Sequence, residues 1–414
     1  MKNLHLLPLI LLLSIVVFTS CDDDEVTTPP SLTVNTAEEL TAALSDIYQN
    51  ADAPGFAVSV VKNDVVLYQQ AFGKADIENN QVYTNQTVQP IGSISKTFVA
   101  AAIVKAIEQG YFTLNTDVND ILPVEITNPK QTNAVIRVRD LVTHTSGLLD
   151  QPEAYFQAYY ILPGEDLSTP GAEILRSGFG MQQRDPVGLD EFLAEYYLSD
   201  GDLYSLDNFA ATEPGSTWNY SNLATSLAAF LVEAATSIPF DAYVETHILQ
   251  PLGMGQTAYN NSVFSPDQLA KLYWDQSTPL PNYANDSYPD ASVYTSSDDL
   301  TKFLLDMMQG AKGQSTTLFS KAGYEMLFNA LLPAGITPSF LADNHGVFWF
   351  LQGTTIKHDG SDPGTTCNLE FSATGESGYL LLTNMDASTT VHETAYLTLV
   401  QQVDNVIKQF VTAN

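Results

Sequence analysis

Apolar residues at 40, 43, 44 and 47 sit three and four apart behind Thr36, and Glu39 stands three residues after that threonine. This spacing predicts an amphipathic helix over 36–50, with Thr36 as N-cap of a capping box. The period then changes. Two runs rich in β-branched and aromatic residues, 55–61 and 65–71, flank Lys62-Asn63-Asp64, and the pattern predicts a hairpin. Helical spacing returns over 93–109 and stops at Gly110, which suits the left-handed position after a helix end. Further helical patterns mark 189–197, 222–235, 240–249 and 297–308. Pro-, Gly- and Asp-rich loops separate them, and the loop over 150–187 is long enough to be a lid or wall of a site. Strand patterns reappear at 346–351, 354–358, 367–372 and 378–383, before a long amphipathic helix over 390–412.

A helix and hairpin at the start, strands and a helix at the end, and a helix-rich middle imply an α+β fold. An antiparallel sheet built from both ends of the chain is expected, flanked by the N- and C-terminal helices. An all-helical lobe would be inserted at about 139–310, leaving an α/β part over about 36–138 and 311–414. With 414 residues, 44% of them hydrophobic, the chain has enough apolar material for a sizeable core.

The first residues break this picture. Lys2 precedes an apolar run over 6–18 that is too short to span a bilayer and reads as a secretory signal over 1–20. The run ends in Phe18-Thr19-Ser20-Cys21, small residues before a cysteine, which resembles a bacterial lipobox. That resemblance implies cleavage before Cys21, its lipidation, and a protein exported and lipid-anchored to the cell envelope. Asp22 to Glu25 and a Thr/Pro/Ser stretch continue to residue 35, a polar segment that cannot bury itself and reads as a tether. Cys367 is the only other cysteine and is expected to be a buried structural thiol. The formal charge of −32 repels nucleic acid and anionic head groups, which excludes a nucleic-acid partner and leaves the lipid anchor as the expected membrane contact.

The strongest chemical signal is Ile91-Gly92-Ser93-Ile94-Ser95-Lys96-Thr97-Phe98 at the start of a helix. Positions three apart share a helical face, so Ser93 and Lys96 can meet. A serine hydroxyl needs a neighbouring base, and a lysine serves as one when burial and a helix N-terminus destabilise its ammonium form. The N–H of Ser93 itself, in the first turn, could bind a developing oxyanion. Alone, this pair could equally be an N-cap serine and an exposed lysine.

Other motifs follow in order: Leu122-Pro123; Ile136-Arg137-Val138-Arg139-Asp140-Leu141-Val142-Thr143-His144-Thr145-Ser146-Gly147-Leu148; Pro214-Gly215-Ser216-Thr217-Trp218-Asn219-Tyr220-Ser221-Asn222; Pro251-Leu252-Gly253-Met254; and Tyr294-Thr295-Ser296-Ser297-Asp298-Asp299-Leu300. With them, from about 35 to 410, the chain resembles the serine beta-lactamase-related family of class C beta-lactamases, D-alanyl-D-alanine carboxypeptidases, D-aminopeptidases and related esterases. The resemblance implies a beta-lactamase/transpeptidase-like fold and three catalytic elements. Ser93 and Lys96 match the first. Tyr220 and Asn222 match the second: Tyr220 would exchange protons with Ser93 and the leaving group, and Asn222 would hydrogen-bond the substrate and Lys96. A phenol, ordinarily near ~10, becomes a usable base beside an ammonium. The third element reads His358-Asp359-Gly360. Strand periodicity puts His358 and Gly360 on one face, so His358 would face the pocket and Gly360 would let substrate lie close to the strand. The N–H of Ser361 would match the second oxyanion donor, and Gly364 would shape the next loop.

His144 and Asp140 could be imagined as a triad with Ser93, but the resemblance makes residues 144–147 a structural turn. No G-x-S-x-G elbow and no zinc-ligand spacing is present, so neither an alpha/beta-hydrolase nor a metal or other cofactor is expected. The expected chemistry is an acyl-enzyme on Ser93 and hydrolysis of an ester, amide or D-amino-acid peptide. A lysine in the third element would hold a substrate carboxylate permanently, whereas His358 is largely neutral at pH 7. With Asp362 nearby, substrates presenting an amine fit better than beta-lactams. The alternatives are a non-catalytic, penicillin-binding-like protein that holds cell-wall peptide, and a surface scaffold using the lipid anchor.

Overall fold

The computed structural model describes residues 33–338 and 341–414. The signal, Cys21 and most of the tether lie outside the described residues. Helix α1 (Ala37–Asn50) starts as its sequence requires: the Thr36 side chain accepts from the Glu39 N–H, and the Glu39 carboxylate accepts from the Thr36 N–H. Its buried face is Leu40, Leu44 and Ile47, each stabilising by roughly 1.5–3 kcal/mol when fully buried.

One eight-stranded sheet organises the chain. In sequence order its strands are β1 (Gly55–Lys62), β2 (Val65–Asp76), β3 (Gln81–Val82), β4 (Asn344–His345), β5 (Phe350–Gln352), β6 (Thr355–Asp362), β7 (Thr365–Ser372) and β8 (Ser377–Thr383). Across the sheet they run β4-β5-β6-β7-β8-β1-β2-β3, with every neighbouring pair antiparallel. Strand β1 pairs with both its hairpin partner and β8, which joins the two ends of the sequence at the centre. The hairpin turn places Asn63 and Asp64 at φ 49° and 67°, a region that asparagine and aspartate tolerate better than most residues.

Strand β1 is apolar at nearly every position because both of its faces are covered. Phe56, Val58 and Val60 pack beneath α1 and the C-terminal helix α5 (Thr390–Ala413). Val61, on the alternate face of the strand, packs into the main core, and the register shift beside it leaves Leu67 of β2 as the extra residue. That core holds α2 (Ser95–Glu108), α3 (Asn222–Thr236) and α4 (Ser297–Ala311), and eleven of the fourteen residues of α2 are buried. Such a helix is apolar all round because it lies between sheet and lobe.

Three expectations need correction. The run 346–351 is a strand only at Phe350–Gln352; before it the chain turns sharply, with Phe348 at φ 53° donating its N–H to the Val142 carbonyl at 2.9 Å. Its apolar character reflects burial in an irregular segment. The segment 150–187 is not a bare loop: it carries helices Pro152–Tyr155 and Pro170–Phe179 and strand Tyr159–Ile161. The inserted lobe is mainly helical but also holds a three-stranded sheet, in which Tyr159–Ile161 pairs with Gln182–Gln183 and Tyr283–Asn285. Cys367 is buried, as expected, and burial pushes its thiol up to about 12.

Candidate active site

Ser93 lies in a 3-10 turn, Gly92–Ile94, that feeds directly into α2. The turn needs its glycine: Gly92 has φ +51°, and a Cβ there would lie 2.5 Å from the Ser361 nitrogen. On the other side a Cβ at Gly360 would strike the Ile91 carbonyl. Two glycines therefore let β6 and the serine turn touch backbone to backbone. Gly360 is filled by the protein's own turn, not by space for a substrate, which corrects the expected role. The contact brings the Ser361 nitrogen beside residue 92, next to Ser93.

Lys96 is fully buried behind Ser93. Its Nζ donates to Asn222 Oδ1 at 2.8 Å, to the Asp290 carbonyl at 3.0 Å and to Ser93 Oγ at 3.1 Å. Two of these acceptors can only accept, so two N–H bonds are fixed and the third direction points at the serine. The Asp290 carboxylate lies 3.9 Å away, also without solvent exposure. The Tyr220 ring sits beneath the ammonium, 5.1 Å from Nζ to its centroid.

Tyr220 and Asn222 reach this point because α3 begins between them. Ser221 is its N-cap and accepts from the Ala224 N–H at 3.0 Å. Asp150, 71 positions before Ser221, accepts from Ser221 Oγ at 2.7 Å and from the N–H groups of Asn222 and Leu223 at 2.6 and 3.2 Å. Burial lifts its carboxyl to about 6 against these bonds. Sequence reasoning passed over Asp150, which follows the 136–148 motif without a pattern of its own. Ser93, Tyr220 and Asn222 are partly exposed, so the front of the site is open while Lys96 is sealed at the back.

Burial raises the Tyr220 phenol above its ordinary value, opposed by the Lys96 charge and by hydrogen bonds with Ser93 and Lys96. The expectation that Lys96 makes it an easy base thus captures only the opposing influence. His358 alternates with Lys357 and Asp359 as the strand period requires, and it is buried near Lys96. Its Nδ1 bonds the Asp359 carbonyl at 2.7 Å, so that nitrogen carries the hydrogen and Nε2 is an acceptor. Nε2 has no partner among the described residues. Burial, then the Lys96 charge, holds His358 down at about 3, so it is neutral at pH 7.

His144 and Asp140 do not form a triad with Ser93. His144 (φ 55°) accepts from the Ser221 N–H at Nδ1, 3.2 Å, and its ring lies 4.5 Å from that of Tyr220. Asp140 instead accepts from the Arg137 N–H at 2.8 Å. His144 is a buried support for the Tyr220 loop.

A family model described as "Beta-lactamase" matches residues 40–402. Among characterised relatives, esterase EstB of Burkholderia gladioli is 30% identical over 244 residues, 58% of this chain and 55% of the esterase. Penicillin-binding protein 4* of Bacillus subtilis is 23% identical, covering 72% of this chain and 61% of its own length. The chain thus spans between about half and three-fifths of the length of these relatives. A D-amino acid amidase from Ochrobactrum anthropi, solved with L-phenylalanine amide, shares the fold with TM-score 0.67 and 19% identity, covering 89% of this chain and 99% of the amidase. The glycine-bridged serine turn, the sealed lysine and a family match over nearly all of the described chain lead to one assignment: the protein belongs to the beta-lactamase family.

Proposed function

We propose that the protein is a serine hydrolase that forms an acyl-enzyme on Ser93 and hydrolyses esters or amides. The observation that carries this reading is Lys96 Nζ, 3.1 Å from Ser93 Oγ and fixed by two carbonyl acceptors. As Ser93 Oγ attacks the substrate carbonyl, its proton passes to Lys96 or Tyr220. The carbonyl oxygen becomes an oxyanion between the N–H groups of Ser93 and Ser361. Tyr220 returns the proton to the leaving group, and water then releases the acid from Ser93 by the same route.

His358 is neutral and its Nε2 is buried, so the third element supplies no cation to a substrate carboxylate. This supports substrates that present an amine or no charge, in keeping with the esterase and amidase among its relatives. The test is hydrolysis by the purified protein and its Ser93→Ala variant of a p-nitrophenyl ester, a D-alanyl anilide, a D-Ala-D-Ala peptide and a chromogenic cephalosporin. Turnover lost in Ser93→Ala supports the reading, and the preferred substrate defines the subclass. Absence of turnover, together with failure of a fluorophosphonate to label Ser93, overturns it in favour of peptide binding without catalysis.

A further inference from the structure

Behind Lys96 runs a buried line of four side chains drawn from three parts of the sequence. Tyr155 bonds Asp290 Oδ2 at 2.6 Å, the Tyr155 and Tyr159 hydroxyls meet at 3.0 Å, and Tyr159 bonds Asp362 Oδ1 at 2.8 Å. All four residues are between 0 and 6% exposed. Asp290 is the carboxylate beside Lys96. Asp362 directly follows Ser361 as the last residue of β6.

The protons in this line can be counted. Three hydrogen bonds join four groups, so three hydrogens are needed. Each phenol brings one. With both aspartates ionised, each phenol donates to a carboxylate and none remains for the contact between the tyrosines. A third proton on one carboxyl completes the line: Asp362 O–H donates to Tyr159, Tyr159 to Tyr155, and Tyr155 to the Asp290 carboxylate. Asp290 is the natural anion because it faces Lys96 and also receives the Ser287 hydroxyl at 3.1 Å and the Asn285 amide at 3.3 Å.

We propose that Asp290, Tyr155, Tyr159 and Asp362 share one proton, resident on Asp362 in the empty enzyme, and that its passage to Asp290 couples a cation bound at Asp362 to the charge state of Lys96. The transfer balances: Asp362 gives its proton to Tyr159 while Tyr159 passes its own to Tyr155 and Tyr155 to Asp290, and the negative charge moves the other way. A substrate ammonium against Asp362 draws the charge to that end. Asp290 becomes neutral, and the carboxyl 3.9 Å from Lys96 Nζ no longer carries a charge. Burial lifts the Asp362 carboxyl to about 8, in keeping with a proton held there at neutral pH. Among the described residues, Lys96 is the only cation that influences either carboxyl; Asp150, Tyr220 and Tyr259 beside Asp290, and Tyr283, Tyr294 and the Cys367 thiol beside Asp362, are all acids.

The coupling to Lys96 rests on the acyl-transfer reading; the shared proton does not. Infrared difference spectra of the full-length protein at pH 7 should show a protonated-carboxyl band that Asp362→Asn removes. Tyr159→Phe keeps both carboxyls and must move that band. No band lost in folded Asp362→Asn, or an unmoved band in Tyr159→Phe, overturns the proposal. The second measurement is the kcat ratio of an amine-bearing ester to its des-amino analogue. This should exceed one in the wild type and fall towards one in Tyr155→Phe, which leaves Ser93 and Lys96 in place; an equal ratio in both proteins overturns the coupling. A wild type whose Ser93 does not label with fluorophosphonate counts against the acyl-transfer reading alone, because the infrared band stands or falls without it.

Discussion

Asn222 Oδ1 accepts a hydrogen bond from Lys96 Nζ at 2.8 Å, joining the first turn of α3 to the first turn of α2 across 126 positions of sequence. The bond fixes one N–H of the lysine and leaves another direction free for Ser93. Asn222→Ala should therefore lower kcat/KM for an ester by about 10²-fold, the scale of one lost acid–base or positioning contact. Steady-state kinetics with unchanged thermal stability would establish this; an unchanged kcat/KM would mean that Asn222 does not set the lysine for catalysis.

Asp150 holds the same loop from behind through three donors on residues 221–223. Asp150→Ala leaves those groups without their acceptor and should reduce stability by about 1–3 kcal/mol. Denaturant titration measures it, and Asp150→Asn should recover part of the loss.

Gly360→Ala puts a methyl group against the Ile91 carbonyl, which backbone cannot yield without moving Ser93. The expected outcome is a loss of about 1–3 kcal/mol from overpacking, with a fall in kcat larger than the stability loss explains. Melting curves and kinetics on one preparation test both parts.

Asp362 gives a pH signature of definite sign. Its carboxyl is raised from 3.8 to about 8 by burial, so between those values the folded protein holds a proton that the unfolded chain has released. Stability from this group is thus full below about 4 and declines as pH rises towards 8, with a slope of at most about 1.4 kcal/mol per pH unit. Subtracting the stability curve of Asp362→Asn from that of the wild type should isolate the decline. His358 works oppositely: held at about 3 when folded, it favours the folded state above the ordinary histidine range and withdraws that support as pH falls.

Cys21 is proposed as the anchor. Cys21→Ala should move the protein from the membrane fraction to the soluble fraction on extraction, and retention of the variant in the membrane would count against lipidation there.

Much of this was legible because the signals were local. Thr36 and Glu39 cap α1 with their own side chains, and the Ser93–Lys96 spacing lies within one turn, so three residues of sequence carry each feature. Tyr220, Asn222 and His358 were found through ordered motifs and strand period. Tyr155, Tyr159, Asp290 and Asp150 were not, because the bonds from Tyr155 to Asp290, Tyr159 to Asp362 and Ser221 to Asp150 span 71 to 203 residues. A tyrosine in a Pro-rich segment carries no mark that its hydroxyl will meet a buried carboxylate. The run 346–351 misled for the related reason that burial makes an irregular segment look like a strand.

The junction of β1 with β8 also governs when the site can come into being. The serine turn leans on β6, and β6 reaches β1 only through β7 and β8, whose last residue is Thr383. During synthesis the N-terminal hairpin and α2 emerge long before the strands that complete their sheet, and pairing of such distant segments is slow. The nascent chain therefore carries a half-made sheet edge until its final segments appear. Until then that unpaired edge is a template for mispairing with other strands, so the last strands of the sequence protect the chain as well as complete its site.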